Sequence, residues 1–128
     1  MAALWRFRHY VSERGADEIR AWYDAQSKKS QGKISSRLLA RTHAWPERYF
    51  KMLTGPCSPL GEVRLFFDKV QHRPLTYFSE GMTLTFVICA IERGGKFEPR
   101  NACDIGKARK AEIEADANRC RSSDIPLQ

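Results

Sequence analysis

The chain lacks any long apolar run. Nowhere does it approach the roughly 20 apolar residues of a spanning helix. Its opening, MAALWRFRHYVSERG, has no apolar core of the kind a secretory leader carries. The expectation is a cytoplasmic protein with no membrane partner. The chain also lacks a C-x-x-C pair: Cys57, Cys89, Cys103 and Cys120 stand far apart. That excludes zinc spacing and leads us to expect free thiols, buried or incidental. No metal and no cofactor are expected. There is no repeat, low-complexity tract or shift of composition, so residues 1–128 are expected to form one domain. Acidic residues are in the minority, 15 against 22 basic ones, which leaves a net charge of +7. Such a balance favours a polyanionic partner through counterion release and long-range attraction, without saying which.

What is present argues against disorder: 42% of the chain is apolar and aromatic residues recur throughout. Leu4 to Tyr10 (LWRFRHY) has the aromatic content of a strand. In SERGADEIRAWYDAQS, Ala16, Ile19, Trp22 and Tyr23 fall near one helical face, and Asp17 and Glu18 suit its N-terminus. A second helix is expected over SQGKISSRLLARTHAW, where Ile34, Leu38, Leu39, Thr42 and Trp45 keep the helical period and Pro46 ends it. Lys33, Arg37 and Arg41 make a solvated stripe on another face. PERYFKMLTGPCSPLG reads as a long connection anchored by Tyr49, Phe50, Met52 and Leu53. The β-branched and aromatic run MTLTFVICAIERG favours a strand. DIGKARKAEIEADANRC reads as a charged helix with Asp104 as N-cap and Ile105, Ala108 and Ile113 inward. Residues 121–128 are expected to fray.

Between these lies EVRLFFDKVQHRPLTYF, Glu62 to Phe78, which reads as two strands meeting at a turn. A tight turn centred on Asp68 and Lys69 pairs Phe67 with Val70, and counting outward sets Arg64 opposite Arg73. Like charges directly opposed cost a sheet about 0.2–1 kcal/mol. The cost becomes useful if an anion sits between them, because two guanidinium forks bind phosphate oxygens with charge-assisted bonds. The competing reading is that Glu62 and Glu92 neutralise the pair as an ion network. Pro74 removes a ladder donor, so a bulge or an edge is expected there. His72 alternates away from Arg73 and is expected to be structural, as are His9, His43 and the tryptophans Trp5, Trp22 and Trp45. Tyr77 shares the face of Arg73 and could stack on a base or pack in the core.

These segments, taken in order, resemble the RelE/ParE toxin superfamily, in particular its HigB-like, phage-related branch. KMLTGPCSPLGEVR (Lys51 to Arg64) is similar to that branch's k-x-L-x-G … L-x-E-x-R segment. HRPLTYF is similar to its yR-x-x-Y strand, and FVICAIERGGKFEPRNACDIGKARKAEI to its closing strand, basic turn and helix. The likeness covers residues 47 to 115. It implies an α+β domain: an N-terminal strand, two helices, a three-stranded antiparallel meander and a C-terminal helix. It implies a toxin–antitoxin toxin that cuts mRNA on the ribosome without a metal, or, in a related branch, poisons DNA gyrase. The implied partners are a small antitoxin, often of helix-turn-helix type, the ribosome and mRNA. By position the resemblance implies Arg73 as phosphate stabiliser, Arg64 as its neighbour on the scissile phosphate, and Lys96 and Arg93 in the basic turn, with Arg100 and Tyr77 also toward RNA. The chain departs from the pattern at Pro74, where an apolar residue is usual, and in CRSSDIPLQ, which holds no histidine or tyrosine to act as a terminal acid.

Overall fold

The computed structural model describes residues 6–40 and 50–126. Expectations resting on Leu4, Trp5, Arg41, Thr42, His43, Trp45, Pro46 and Tyr49 lie outside the described residues. In chain order the elements are β1 (Arg6–Tyr10), α1 (Glu18–Asp24), α2 (Lys28–Ala40), β2 (Phe50–Met52), a 3-10 turn at Gly55–Cys57, β3 (Gly61–Val63), β4 (Leu65–Phe67) and β5 (Val70–Ser79). Then come β6 (Thr83–Arg93), β7 (Lys96–Glu98), α3 (Ala102–Ala115), a 3-10 turn at Ala117–Arg119 and β8 (Cys120–Ser122). The fold is mixed α and β: among the described residues three helices lie against one sheet, in the expected order but with more strands.

The sheet runs β2-β3-β5-β6-β1-β8, with β4 beside β5 and β7 beside β6. All pairings are antiparallel except β1 with β6, which is parallel. One face carries Phe7, Val63, Leu65, Phe67, Leu84 and Phe86, packed with Ile19, Tyr23, Ile34 and Leu38 of α1 and α2. The other carries Leu75, Tyr77, Val87 and Ile88 under Ala102, Cys103 and Ile113 of α3. Both faces of β5 and β6 are therefore covered for most of their length, which is why these strands are apolar nearly throughout. α3 lies close because Gly106 has no side chain: a Cβ there would stand 2.8 Å from Leu60 Cδ1.

Several expectations are corrected. The first helix opens where Asp17 and Glu18 suit its N-terminus, so that Ser12 to Ala16 of the expected segment lie outside it. Asp17 is its N-cap, accepting from Arg20 N at 2.9 Å, while Gly15 stands outside it at a φ of 85°. Asn101, not Asp104, precedes α3, and Ala108 faces solvent. The long connection is partly strand: β2 pairs with β3, Lys51 lying opposite Glu62. Met52 is exposed rather than an anchor. The cysteines are not all free: Cys57 and Cys103 form a disulfide that ties the β2–β3 connection to α3, leaving Cys89 and Cys120 as thiols. The tail is not frayed along residues 121–126. β8 adds to β1, with Tyr10 opposite Cys120 and Arg8 opposite Ser122, and Ile125 is 5% exposed in the core under α1 and α2. A short segment with few apolar residues can still be ordered when an open strand edge supplies its hydrogen bonds.

Candidate functional site

The hairpin forms as its spacing predicts. Asp68 and Lys69 both take positive φ, 53° and 61°, so the two-residue turn has the twist that matches its strands even without the usual Asn-Gly. Phe67 pairs with Val70 and Leu65 with His72. Beyond the hairpin, Glu62 pairs with Leu75 and Gly61 with Thr76, in the same register. The ladder is interrupted between, where Val63 and Arg64 count opposite Pro74 and Arg73. The proline lacks the N–H that would have continued the pairing there. β5 is thus an interior strand with its gap placed at Pro74. Just after it, Leu75 pairs with Ile88 but Thr76 with Phe86, so Val87 bulges out of β6. The Val87 carbonyl accepts from Arg109 Nη1 of α3 at 2.9 Å.

The gap lies on the α3 face of the sheet, at the end that α3 leaves open. There Arg64 and Arg73 both turn toward Glu62, whose side chain is only 4% exposed. Arg64 Nε donates to Glu62 Oε2 at 2.6 Å, and Arg73 Nε stands 3.7 Å from the same oxygen. Arg73 Nε also donates to Glu92 Oε1 at 3.2 Å. Its remaining donors meet the carbonyl of His72 at 3.0 Å, the carbonyl of Leu65 and the side chain of Gln71. The arginines do share one face. They do not form an open cradle: each is met by carboxylate, so the ion network considered beside the anion site is what the structure contains. Arg73 is a buried strut, 9% exposed at its side chain, whereas Arg64 is 30% exposed and can turn outward.

Above this network is a cleft of about 170 Å³ lined by Lys51, Leu53, Glu62, Arg64, Glu92, Lys96 and Phe97. Three cations therefore open onto it and a fourth, Arg73, underlies it, against two carboxylates. Such a cleft keeps a positive field while offering a carboxylate, Glu92, that is one-third exposed. It can bind an anion electrostatically and accept a proton beside it. Of the sequence-derived candidates, Arg64, Arg73 and Lys96 are brought together here. Arg93 is paired with Glu98 at 3.0 Å on the surface, and Arg100 is exposed in the turn before α3; neither lines the cleft. Tyr77 is 7% exposed in the core under α3, with Lys110 Nζ 5.3 Å above its ring, so it offers no face to a base. Lys51 and Phe97 were not singled out by sequence. The first was hidden because its strand reads as a loop; register with Glu62 is the signal that finds it.

His72 lies on the opposite face, as alternation requires, 7% exposed and stacked on Phe67 with ring centroids 4.0 Å apart. Trp22 Nε1 donates to its Nδ1 at 3.3 Å. Burial, reinforced by the charge of Arg73 and opposed by Asp68, holds its pKa below the ordinary 6.5. His9 is fully buried, its Nδ1 3.1 Å from Asp17 Oδ2, which Arg121 also grips. Burial lowers its pKa too, outweighing the attraction of Asp17. Both histidines are structural, and neither reaches the cleft. Among the described residues no group of three or more His, Cys, Asp or Glu side chains is placed to hold a metal ion, and no helix is long and apolar enough to cross a membrane.

Comparison with family models, curated proteins and solved structures found no match to this chain.

Proposed function

We propose that this chain is the toxin of a RelE/ParE-type toxin–antitoxin pair, of the HigB-like branch, and that it cleaves mRNA on the ribosome without a metal. The observation that carries the reading is the cleft in which Lys51, Arg64 and Lys96 surround two carboxylates, with Arg73 beneath. In the proposed reaction the ribose 2′-hydroxyl attacks the adjacent phosphorus and passes its proton to Glu92. The P–O2′ bond forms as the P–O5′ bond breaks, and Lys96 protonates the departing 5′-oxygen. Arg64 turns from Glu62 to the phosphate and stabilises the charge that builds on it. Arg73, held by its carboxylates and carbonyls, supplies a fixed positive field below. Arg93 and Arg100, exposed outside the cleft, follow the RNA backbone. A helix-turn-helix antitoxin neutralises the toxin. The proposed compartment is cytoplasmic; the Cys57–Cys103 disulfide counts against it, because disulfides are rare in reducing compartments.

The test is induction of the chain without antitoxin, followed by mapping of mRNA 5′ ends. Wild type is expected to arrest growth and to leave codon-associated cuts. Arg64→Ala and Arg73→Ala, at equal protein levels, are expected to lose about 10²-fold in cleavage. Full toxicity in both variants would remove the cleft from the mechanism. A second reading, a gyrase poison or an inactive antitoxin-binding protein, is favoured by one observation: every Arg73 nitrogen already has a partner. Intact transcripts with DNA damage, or with no toxicity at all, would support it.

A further inference from the structure

Phe66 is the most exposed large apolar side chain among the described residues, at 64%, while its neighbours Leu65 and Phe67 are buried on the other face. Burial of alternate residues along β4 fixes the direction of Phe66: it shares the α3 face with Glu62, Arg64 and Arg73. Its cross-strand partner is Gln71, whose side chain accepts from Arg73. The ring therefore stands one residue pair beyond the arginine network, on the same surface as the cleft. Among the described residues the ring stays 64% exposed. Leaving a phenylalanine in water forgoes the stabilisation that its burial would contribute. A charged or polar residue would serve β4 equally well at an outward position.

We infer that Phe66 is a stacking platform for a nucleobase of single-stranded RNA whose backbone phosphate occupies the neighbouring cleft. The inference rests on the proposed function and adds a residue to it. Charge selects the occupant: a polyanion drawn to Lys51, Arg64 and Lys96 runs over the same face of the sheet on which this ring stands. Stacking on an aromatic face is how proteins hold unpaired bases without reading their sequence. It also fills the role that sequence gave to Tyr77, which the fold buries.

The experiment measures binding of a labelled oligoadenylate to the full chain across a salt series, for wild type, Phe66→Ala, Phe66→Trp and Arg64→Ala. Phe66→Ala is expected to weaken binding about ten-fold. It should leave the slope of log affinity against log salt unchanged, since no phosphate contact is lost. Phe66→Trp should bind at least as tightly as wild type, and 2-aminopurine in the oligomer should be quenched by wild type but not by Phe66→Ala. Arg64→Ala should instead lower the salt slope by about one. Wild-type affinity in Phe66→Ala, with the salt slope present, would overturn the stack and leave the proposed function standing. Absence of any salt-dependent RNA binding by wild type would overturn the proposed function, and the stack with it. A change in sedimenting mass on Phe66→Ala, with RNA affinity unaltered, would assign the ring to self-association and overturn the inference.

Discussion

Arg64 and Arg73 meet at one carboxylate oxygen, their Nε atoms 2.6 and 3.7 Å from Glu62 Oε2. The pairing is unequal in consequence. Arg64 can relax into solvent if Glu62 is neutralised, but Arg73 cannot, because the sheet and its carbonyl partners hold it. Glu62→Gln should therefore destabilise the fold by about 1–3 kcal/mol, less than the loss of a sole partner because Glu92 remains. Chemical denaturation checks it. Glu62→Gln combined with Arg73→Gln should show a coupling of about 1 kcal/mol or more in a double-mutant cycle. Additive losses would mean that the 3.7 Å approach carries no energy.

The Cys57–Cys103 link spans 46 residues of sequence and joins the β2–β3 connection to α3. Under oxidising conditions, alkylation of the denatured, unreduced chain should label two of the four cysteines, Cys89 and Cys120. Cys57→Ser should then lower stability by about 2–4 kcal/mol through the loop entropy returned to the unfolded chain. Four labelled thiols in the oxidised protein would show that the bond does not form.

Ile125 sits in the core although it is three residues beyond the last strand. Ile125→Ala should cost about 2–4 kcal/mol, the range for truncating a buried isoleucine. Removing residues 121–128 should cost more, since it also strips β8 from the edge of β1. A melting temperature unchanged by either variant would restore the frayed tail expected from sequence.

His9 and His72 make stability depend on pH. Burial holds both below the ordinary 6.5, so the unfolded chain binds these protons more readily than the folded one. The stability they confer as neutral groups is complete above about 6.5 and is lost progressively as the pH falls below it. Asp17 and Asp124 act in a separate, more acidic window. Burial works against each, but the hydrogen bonds and charges of their partners hold both below the usual 3.8, and their contribution is lost only as the pH drops through that range. Urea midpoints should therefore begin to fall near pH 6.5, and His72→Gln, which retains an acceptor for Trp22, should flatten the decline. A midpoint constant from about pH 8 to about pH 5 would contradict this, since burial then would not penalise the imidazolium.

Local chemistry was legible at the hairpin. Asp68 and Lys69 sit where the apolar alternation of Leu65 and Phe67 hands over to that of β5, and the register of Arg64 and Arg73 followed by counting. Alternation likewise sent His72 to the far face. Illegible were the contacts made at a distance. Nothing near Cys57 marks Cys103 as its partner, and CRSSDIPLQ carries too few apolar residues to announce a strand. Phe50 to Met52 reads as part of a loop because its ladder partner lies across two prolines.

Taken alone, the sequence determined the alternation of faces, the order of its main helices and strands, the surplus of positive charge and the opposition of two arginines. These are properties of neighbouring residues, and periodicity and sterics settle them before any packing occurs. Only the tertiary structure decided that Glu62 and Glu92 would meet those arginines, that Tyr77 would be covered and Phe66 left bare, and that the tail would complete the sheet. Those outcomes depend on where α3 ends and which strand edges stay open, which is set by the competition of distant segments for the same buried surface and the same hydrogen bonds.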